Sequence, residues 1–440
     1  MKRKLLLPIM VLIITLFVSC AVGETVNNND EEETVNPVES ENIMPEDLEY
    51  LGAFLTPDPD PDDDSHMWEW GGQAMAYDPS GNPSVLRDEF SGSLYGAGHD
   101  VWNLISEITI ARPVISPTKT LEQLNTAQTL QPFADVRNGL FDWIDEMPRV
   151  GMALLPPQEN QTTSKLYLCW GQHIQDPHPS HMWCEKDLSH PNPQGEWSVK
   201  GLNPYNSNDY LFEIPQEWSD QYTPGLRLAT GRYRDGGWSG FGPTLAAIGP
   251  YNHGNPPSDG QQLDSNILIQ YADYYEGEPE RWDEMNGYCH SDEWSGAAWL
   301  YTGDKSAVVF VGTKGIGETW YGDPDGPCME CGLPHLRGWW SEQFQGWFLF
   351  YSVSDLAKVA TGQMQPHDIQ PYAHLNVDDV LWYIDSEQEK YHLGACAFDG
   401  ENGLFYVFEP GRDASSGKRE SNDNPRYETE RTLVHVWRIK

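Results

Sequence analysis

Apolar residues along this chain fall in short runs broken by glycine and Asp-Gly turns, and helix-period spacings are few. The pattern predicts strands, and the strands repeat. The segments 71–81 (GGQAMAYDPSG), 151–160 (GMALLPPQEN), 242–252 (GPTLAAIGPYN), 296–305 (GAAWLYTGDK) and 394–403 (GACAFDGENG) each open on glycine, continue as an apolar strand and end in a turn. Several lead into a second strand (SLYGAGHD, KLYLCWGQH, AVVFVGTKG, LFYVFEPG) and then a third (LISEITI, HMWCEKDL, FLFYSVSDL, LVHVWRI). A further repeat, TLQPFADV (129–136) and DIQPYAHL (368–375), follows a third strand and a short helical insertion, LEQLNTA or DLAKVATG. Five such units predict an all-β fold, a β-propeller of five blades with short helical insertions. The length of the units leaves room for six or seven blades. The N-terminal LEYLGAF is expected as an inner strand of the blade that a chain end closes.

The chain ends change the picture of where such a domain works. Lys2, Arg3 and Lys4 precede a mostly apolar stretch, Leu5 to Val18, too short to span a bilayer comfortably. Its end, Phe17-Val18-Ser19-Cys20, resembles the lipobox of bacterial lipoproteins. The resemblance implies a signal peptide over 1–19, lipidation of Cys20 and a place in the bacterial cell envelope, outer membrane or cell surface, held by the lipid alone. Residues 20–45 are acidic and Asn-rich and read as a flexible tether, which leaves 46–440 as a single domain. Net charge is −40, which argues against nucleic acid as a partner, because phosphate binding needs a clustered basic surface. The run PDPDPDDD (57–64) reads as an exposed loop.

Candidate chemistry gathers in five connections: 66–72 (HMWEWGG), 147–151 (MPRVG), 232–242 (RYRDGGWSGFG), 290–296 (HSDEWSG) and 390–394 (KYHLG). They are read as the links between first and second strands, converging on the mouth of the central channel. Their glycines permit close approach, and their charged and aromatic residues line what remains. Third-to-fourth-strand links on the same face are expected to add His99, Asp100, His173, Lys314 and Arg412. The 18 tryptophans, among them Trp68, Trp70, Trp102, Trp238, Trp294, Trp339 and Trp340 on this face, offer flat apolar surfaces suited to sugar rings.

The texture YLGAF…GGQAMAYDP…GAGHD, with LATGRYRDGGWSGFGP and SAVVFVGTKGIG, looks like that of exported bacterial β-propeller lipoproteins whose function is unsettled. That resemblance supports the fold more than an activity. From the residues, two readings compete. In the first the protein acts on a polysaccharide, with elimination preferred to hydrolysis and propeller-fold ulvan lyases as an analogy. Arg234 or Arg149 would neutralise a uronate carboxylate, and His99, His290, Tyr233 or Tyr391 would remove the C5 proton. Hydrolysis would instead pair Asp235 with Glu69, Asp292 or Glu293. His66, Trp68, His99, Arg149, His173, Trp238, Trp294 and His392 are the expected binding residues. In the second reading the same face is a non-catalytic scaffold for glycans or a partner protein. A monomer is expected in both. No G-x-S-x-G elbow or phosphate loop is present.

Seven cysteines include Cys20, leaving six. Cys169 and Cys184 lie on successive strands and are placed to pair. Cys289 and the pair Cys328/Cys331 fall in connections of one unit, with His290 and His335 nearby, a set that fits either a structural zinc or a disulfide. Cys396 reads as a buried thiol.

Overall fold

The computed structural model describes residues 40–57, 65–82, 88–144, 149–158, 161–171, 178–202, 207–232, 239–249, 254, 256–271, 283–328, 338–384, 386–411 and 431–440. The expected signal peptide, Cys20 and residues 58–64 of the acidic run lie outside them. Residues 40–440 form one compact unit, and it is all-β with two short helices, α1 (Gln216–Tyr222) and α2 (Val353–Ala360). The folded unit begins before residue 46. Ile43 is fully buried, and Glu41 and Asn42 pair with Lys305 and Ser306, so residues 40–45 belong to the fold and not to a tether.

Among the described residues the strands group into antiparallel four-stranded meanders. Strand β1 (Leu48–Leu55) is held back for the last of them. The first sheet runs β2 (Met75–Asp78), β3 (Ser93–Ala97), β4 (Ile105–Thr109), β5 (Thr129–Ala134). The second runs β6 (Arg149–Leu155), β7 (Lys165–Gly171), β8 (His181–Glu185), β9 (Gln194–Val199). The third runs β10 (Tyr210–Glu213), β11 (Leu228–Gly231), β12 (Leu245–Gly249), β13 (Gln262–Ile269). The fourth runs β14 (Glu293–Thr302), β15 (Lys305–Asp323), β16 (Gly338–Tyr351), β17 (Ala373–Asn376). The fifth runs β18 (Cys396–Asp399), β19 (Leu404–Glu409), β20 (Leu433–Ile439), and β1 completes it at the outer edge. LEYLGAF is therefore an outer strand, not an inner one.

The second and third sheets join through a short parallel pairing of β9 with β13, giving an eight-stranded sheet. Its end strands β6 and β10 pack together, so that sheet nearly closes on itself. First strands also neighbour one another in cyclic order: β2 on β6, β6 on β10, β10 on β14, β14 on β18, and β18 on β2.

Core packing follows the same cycle. One hydrophobic cluster sits between each sheet and the next: Trp299 and Phe310 against Phe212 and Leu245, then Val309 and Phe348 against Val407 and Trp437. Others join Val434 and Tyr406 to Leu94, Tyr95 to Trp170, and Tyr167 to Leu211. Side chains alternate across a strand, so Phe310 and Val309 enter different clusters. Both faces are buried, which is why VVFV, LFYVF and LYLCW read as unbroken apolar runs. Each such aromatic or aliphatic side chain contributes about 1.5–3 kcal/mol through burial.

Candidate functional site

Antiparallel order puts the entry to each first strand and the link between second and third strands at the same end of a sheet. All five connections singled out in the sequence fall at this end. Four lead into first strands (β2, β6, β14, β18), and 232–242 joins β11 to β12. None is a first-to-second-strand link. TGDKS, DGENG and PPQENQTTS fill that role at the opposite end. The assignment of the five stretches to one face stands, because every link shifts by one.

At that end the five first-strand entries surround a pocket. Each sheet contributes to its lining: Gln73, Arg149, Asp209, Glu293 and Tyr391. Arg149 opens β6 and Glu293 opens β14, and their side chains meet at 3.9 Å from sheets that are not adjacent in the cycle. The third sheet, which lies between them, supplies a second pair, Arg232 and Asp209, 3.5 Å apart and both buried. Gly312 lets β15 close on this point, since a Cβ there would lie 2.0 Å from the Glu293 carbonyl oxygen. Arg149 is 37% exposed at its side chain and Glu293 13%, so the guanidinium meets incoming solute more readily. Gln73 Oε1 is buried at the pocket with no hydrogen-bond partner among the described residues.

Aromatic rings gather in the links at this end of the sheets, and Tyr391 among them lines the pocket. Trp70 stacks on His99 at 6.4 Å, and His99 meets Trp102 edge-on at 4.7 Å. His99 also lies 3.4 Å from Asp100. On the far side β15 and β16 run past the end of β14, pairing as far as Gly322 and Gly338. This hairpin places Trp339 over His290 at 4.4 Å, while Tyr288 Oη shares a hydrogen bond with His290 Nδ1 at 2.9 Å. Lys390 sits over the Trp340 ring at 4.7 Å and near Tyr391.

Other expected site residues serve the fold. Trp68 packs between Phe133 and Phe408, away from the surface, while Trp294 is equally buried but borders the pocket. The His392 side chain is fully enclosed, held by Asp378 at 2.9 Å and the Glu389 carbonyl at 2.8 Å. Asp292 is sealed from solvent below the pocket. Lys314 Nζ and the Gly315 and Cys289 amides donate to it at 2.8, 2.9 and 3.1 Å. Burial pushes its carboxyl up, against the pull of Lys314. Glu69 and His66 are half-buried at the entry to β2, His66 beside Phe133. Tyr233, Arg234, Asp235, Trp238, His173, Arg412, Cys331 and His335 lie outside the described residues.

Sequence reasoning missed Gln73 and Asp209. The strand after Asp209, YLFE, is the true first strand of the third sheet, whereas GPTLAAIGPYN supplies its third strand, β12. Aligning Asp209-Tyr210 with the other entries was the signal available.

The cysteines also differ from expectation. Cys169 and Cys184 are both buried thiols on β7 and β8, not a disulfide. Cys328 is disulfide-bonded and Cys289 is not. Cys289 lies level with Gly315, while the Cys328 amide bonds to the Tyr321 carbonyl, six residues or about 20 Å further along β15. The hairpin thus keeps Cys289 and Cys328 apart. Among the described residues no cluster of three metal-ligating side chains forms. Cys396 is a buried thiol, as its strand position implied.

No protein-family model and no curated protein matches the chain. The functional reading therefore rests on the pocket itself. It offers the Arg149–Glu293 ion pair, a guanidinium 37% exposed and the ring of Tyr391.

Proposed function

We propose that this chain is a five-bladed β-propeller lipoprotein of the bacterial cell envelope that binds a polysaccharide at the pocket where its first strands converge. The cyclic neighbour order of the first strands and the outer-edge pairing of β1 with β20 support the propeller reading. One observation carries the binding reading. Arg149 and Glu293 meet across the pocket, with the exposed rings of Tyr391 and Trp102 on the same face. A guanidinium and a carboxylate side by side serve the vicinal hydroxyls of a sugar as donor and acceptor, and indole or phenol faces receive its C–H surface.

Binding is favoured over cleavage because, among the described residues, the accessible groups around Arg149 are a single ion pair and not two separated carboxylates. The test is affinity electrophoresis of the full-length protein through gels holding soluble polysaccharides, with reducing ends and ultraviolet absorbance of unsaturated products followed in parallel. Retardation without product is expected. Arg149→Ala should weaken binding about ten- to a hundredfold through loss of a charged hydrogen-bonding group. Product formation by the wild type would restore the enzymatic reading, and free migration in every gel would remove the glycan assignment.

A further inference from the structure

Tyr391, which lines the pocket, and Trp70, two residues before pocket-lining Gly72 in the entry loop of β2, both hold a backbone conformation that costs stability. Trp70 has φ 61° and Tyr391 φ 62°, in the left-handed region that bulky side chains rarely adopt. They occupy equivalent places in the repeat, Trp70 preceding Met75 and Tyr391 preceding Cys396 by the same interval, at the entries to β2 and β18. Those two strands are neighbours, and the Ala395 amide donates to the Gly72 carbonyl at 2.8 Å, which ties the two entry loops together. Burial does not explain the rings. Tyr391 is 38% exposed and Trp70 is half-buried. The same strained conformation recurs at the entries of two neighbouring sheets and sets a ring at the pocket end of each.

Charge narrows the ligand. Among the described residues the charges at the pocket cancel, Arg149 with Glu293 and Asp209 with Arg232 behind it, while the chain as a whole carries −40. A polyanion gains little from a neutral pocket and is repelled by the field around it. Gln73 Oε1, an acceptor buried at the pocket without a donor among the described residues, suits a hydroxyl and opposes a carboxylate.

Building on the glycan-binding reading, we infer that the pocket takes an uncharged polysaccharide and that Trp70 and Tyr391 are the paired platforms on which its sugar rings stack. The acidic polymers that an eliminating enzyme requires are excluded by the same field.

Tryptophan fluorescence titration of the full-length protein with soluble β-glucan and galactomannan, each beside its C6-oxidised uronate form, tests this. The neutral form of at least one polymer should bind ten or more times tighter than its oxidised form at low salt, with the gap narrowing as salt rises. Equal or tighter binding of an oxidised form would overturn the uncharged assignment and leave the glycan reading standing. Binding of neither form of either polymer would overturn both. Tyr391→Asn removes the ring while asparagine tolerates the left-handed conformation. It should lose at least tenfold in affinity with unchanged or raised thermal stability, whereas Tyr391→Phe should bind like the wild type. Full affinity in Tyr391→Asn would overturn the platform.

Discussion

His181 shows how one side chain can tie two sheets together and tune the whole to pH. It is fully buried on β8, with Ser180 Oγ 2.9 Å from Nδ1 and Thr230 Oγ1, on β11 of the next sheet, 2.8 Å from Nε2. A neutral imidazole has one donor and one acceptor, which two hydroxyls can match by rotating. Burial pushes its pKa down to about 3 from 6.5. Below pH 6.5 the unfolded chain takes up a proton here and the folded chain does not. The contribution is complete above pH 6.5 and is lost toward pH 3, at about 1.4 kcal/mol per pH unit. His181→Asn should therefore be less stable than the wild type at pH 7, with the difference shrinking as the pH falls from 6 to 4. Denaturant unfolding of both proteins at several pH values measures this, and parallel curves would show that the imidazole is not neutral in the fold.

Elements were more legible than their ranks. The strand segments at 71–81, 296–305 and 394–403 overlap β2, β14 and β18, and the insertions LEQLNTA and DLAKVATG overlap a 3₁₀ turn (Leu121–Gln123) and α2. Both strands of a buried pair are apolar on two faces, so hydrophobicity located strands without saying which lay innermost. That is why the pattern alone predicts LEYLGAF as an inner strand and starts the third sheet two strands late. The pocket was half legible. Arg149, Glu293 and Tyr391 stood out by residue type, but Gln73 and Asp209 matter only by register, and the burial of Trp68, Trp294 and His392 depends on partners distant in sequence. The outer strand β1 invites its own test. Gly52 sits at a bulge in the pairing with β20, at φ +117°, and a Cβ there would lie 2.4 Å from the Val114 backbone. Gly52→Ala should cost about 2 kcal/mol in denaturant unfolding. A loss below about 0.5 kcal/mol, the size of an ordinary surface change, would mean that β1 contributes little to closing the fifth sheet.

At the scale of the whole molecule, charge sets a cost that every contact above has to offset. The chain carries 67 acidic residues against 27 basic ones. Compaction brings the excess negative charge together, so self-repulsion opposes folding, and salt should relieve it. Many basic residues are already committed within the fold: Lys165 to Glu185, Lys186 to Asp78, Arg227 to Glu213 and Lys314 to Asp292. These pairs include buried groups, which salt screens weakly, whereas carboxylates such as those of Glu122, Asp259 and Asp304 are exposed, where screening is strong. The two effects of salt therefore differ in size, and relief of repulsion should win. Thermal unfolding at pH 7 should shift upward by several degrees between about 10 mM and 200 mM NaCl, over which the screening length falls from about 30 Å to below 10 Å. A melting temperature that falls over that range would mean that attractive pairs outweigh the net charge in holding the fold. The preference for an uncharged ligand would then lose its long-range argument and depend on the pocket's own neutrality alone.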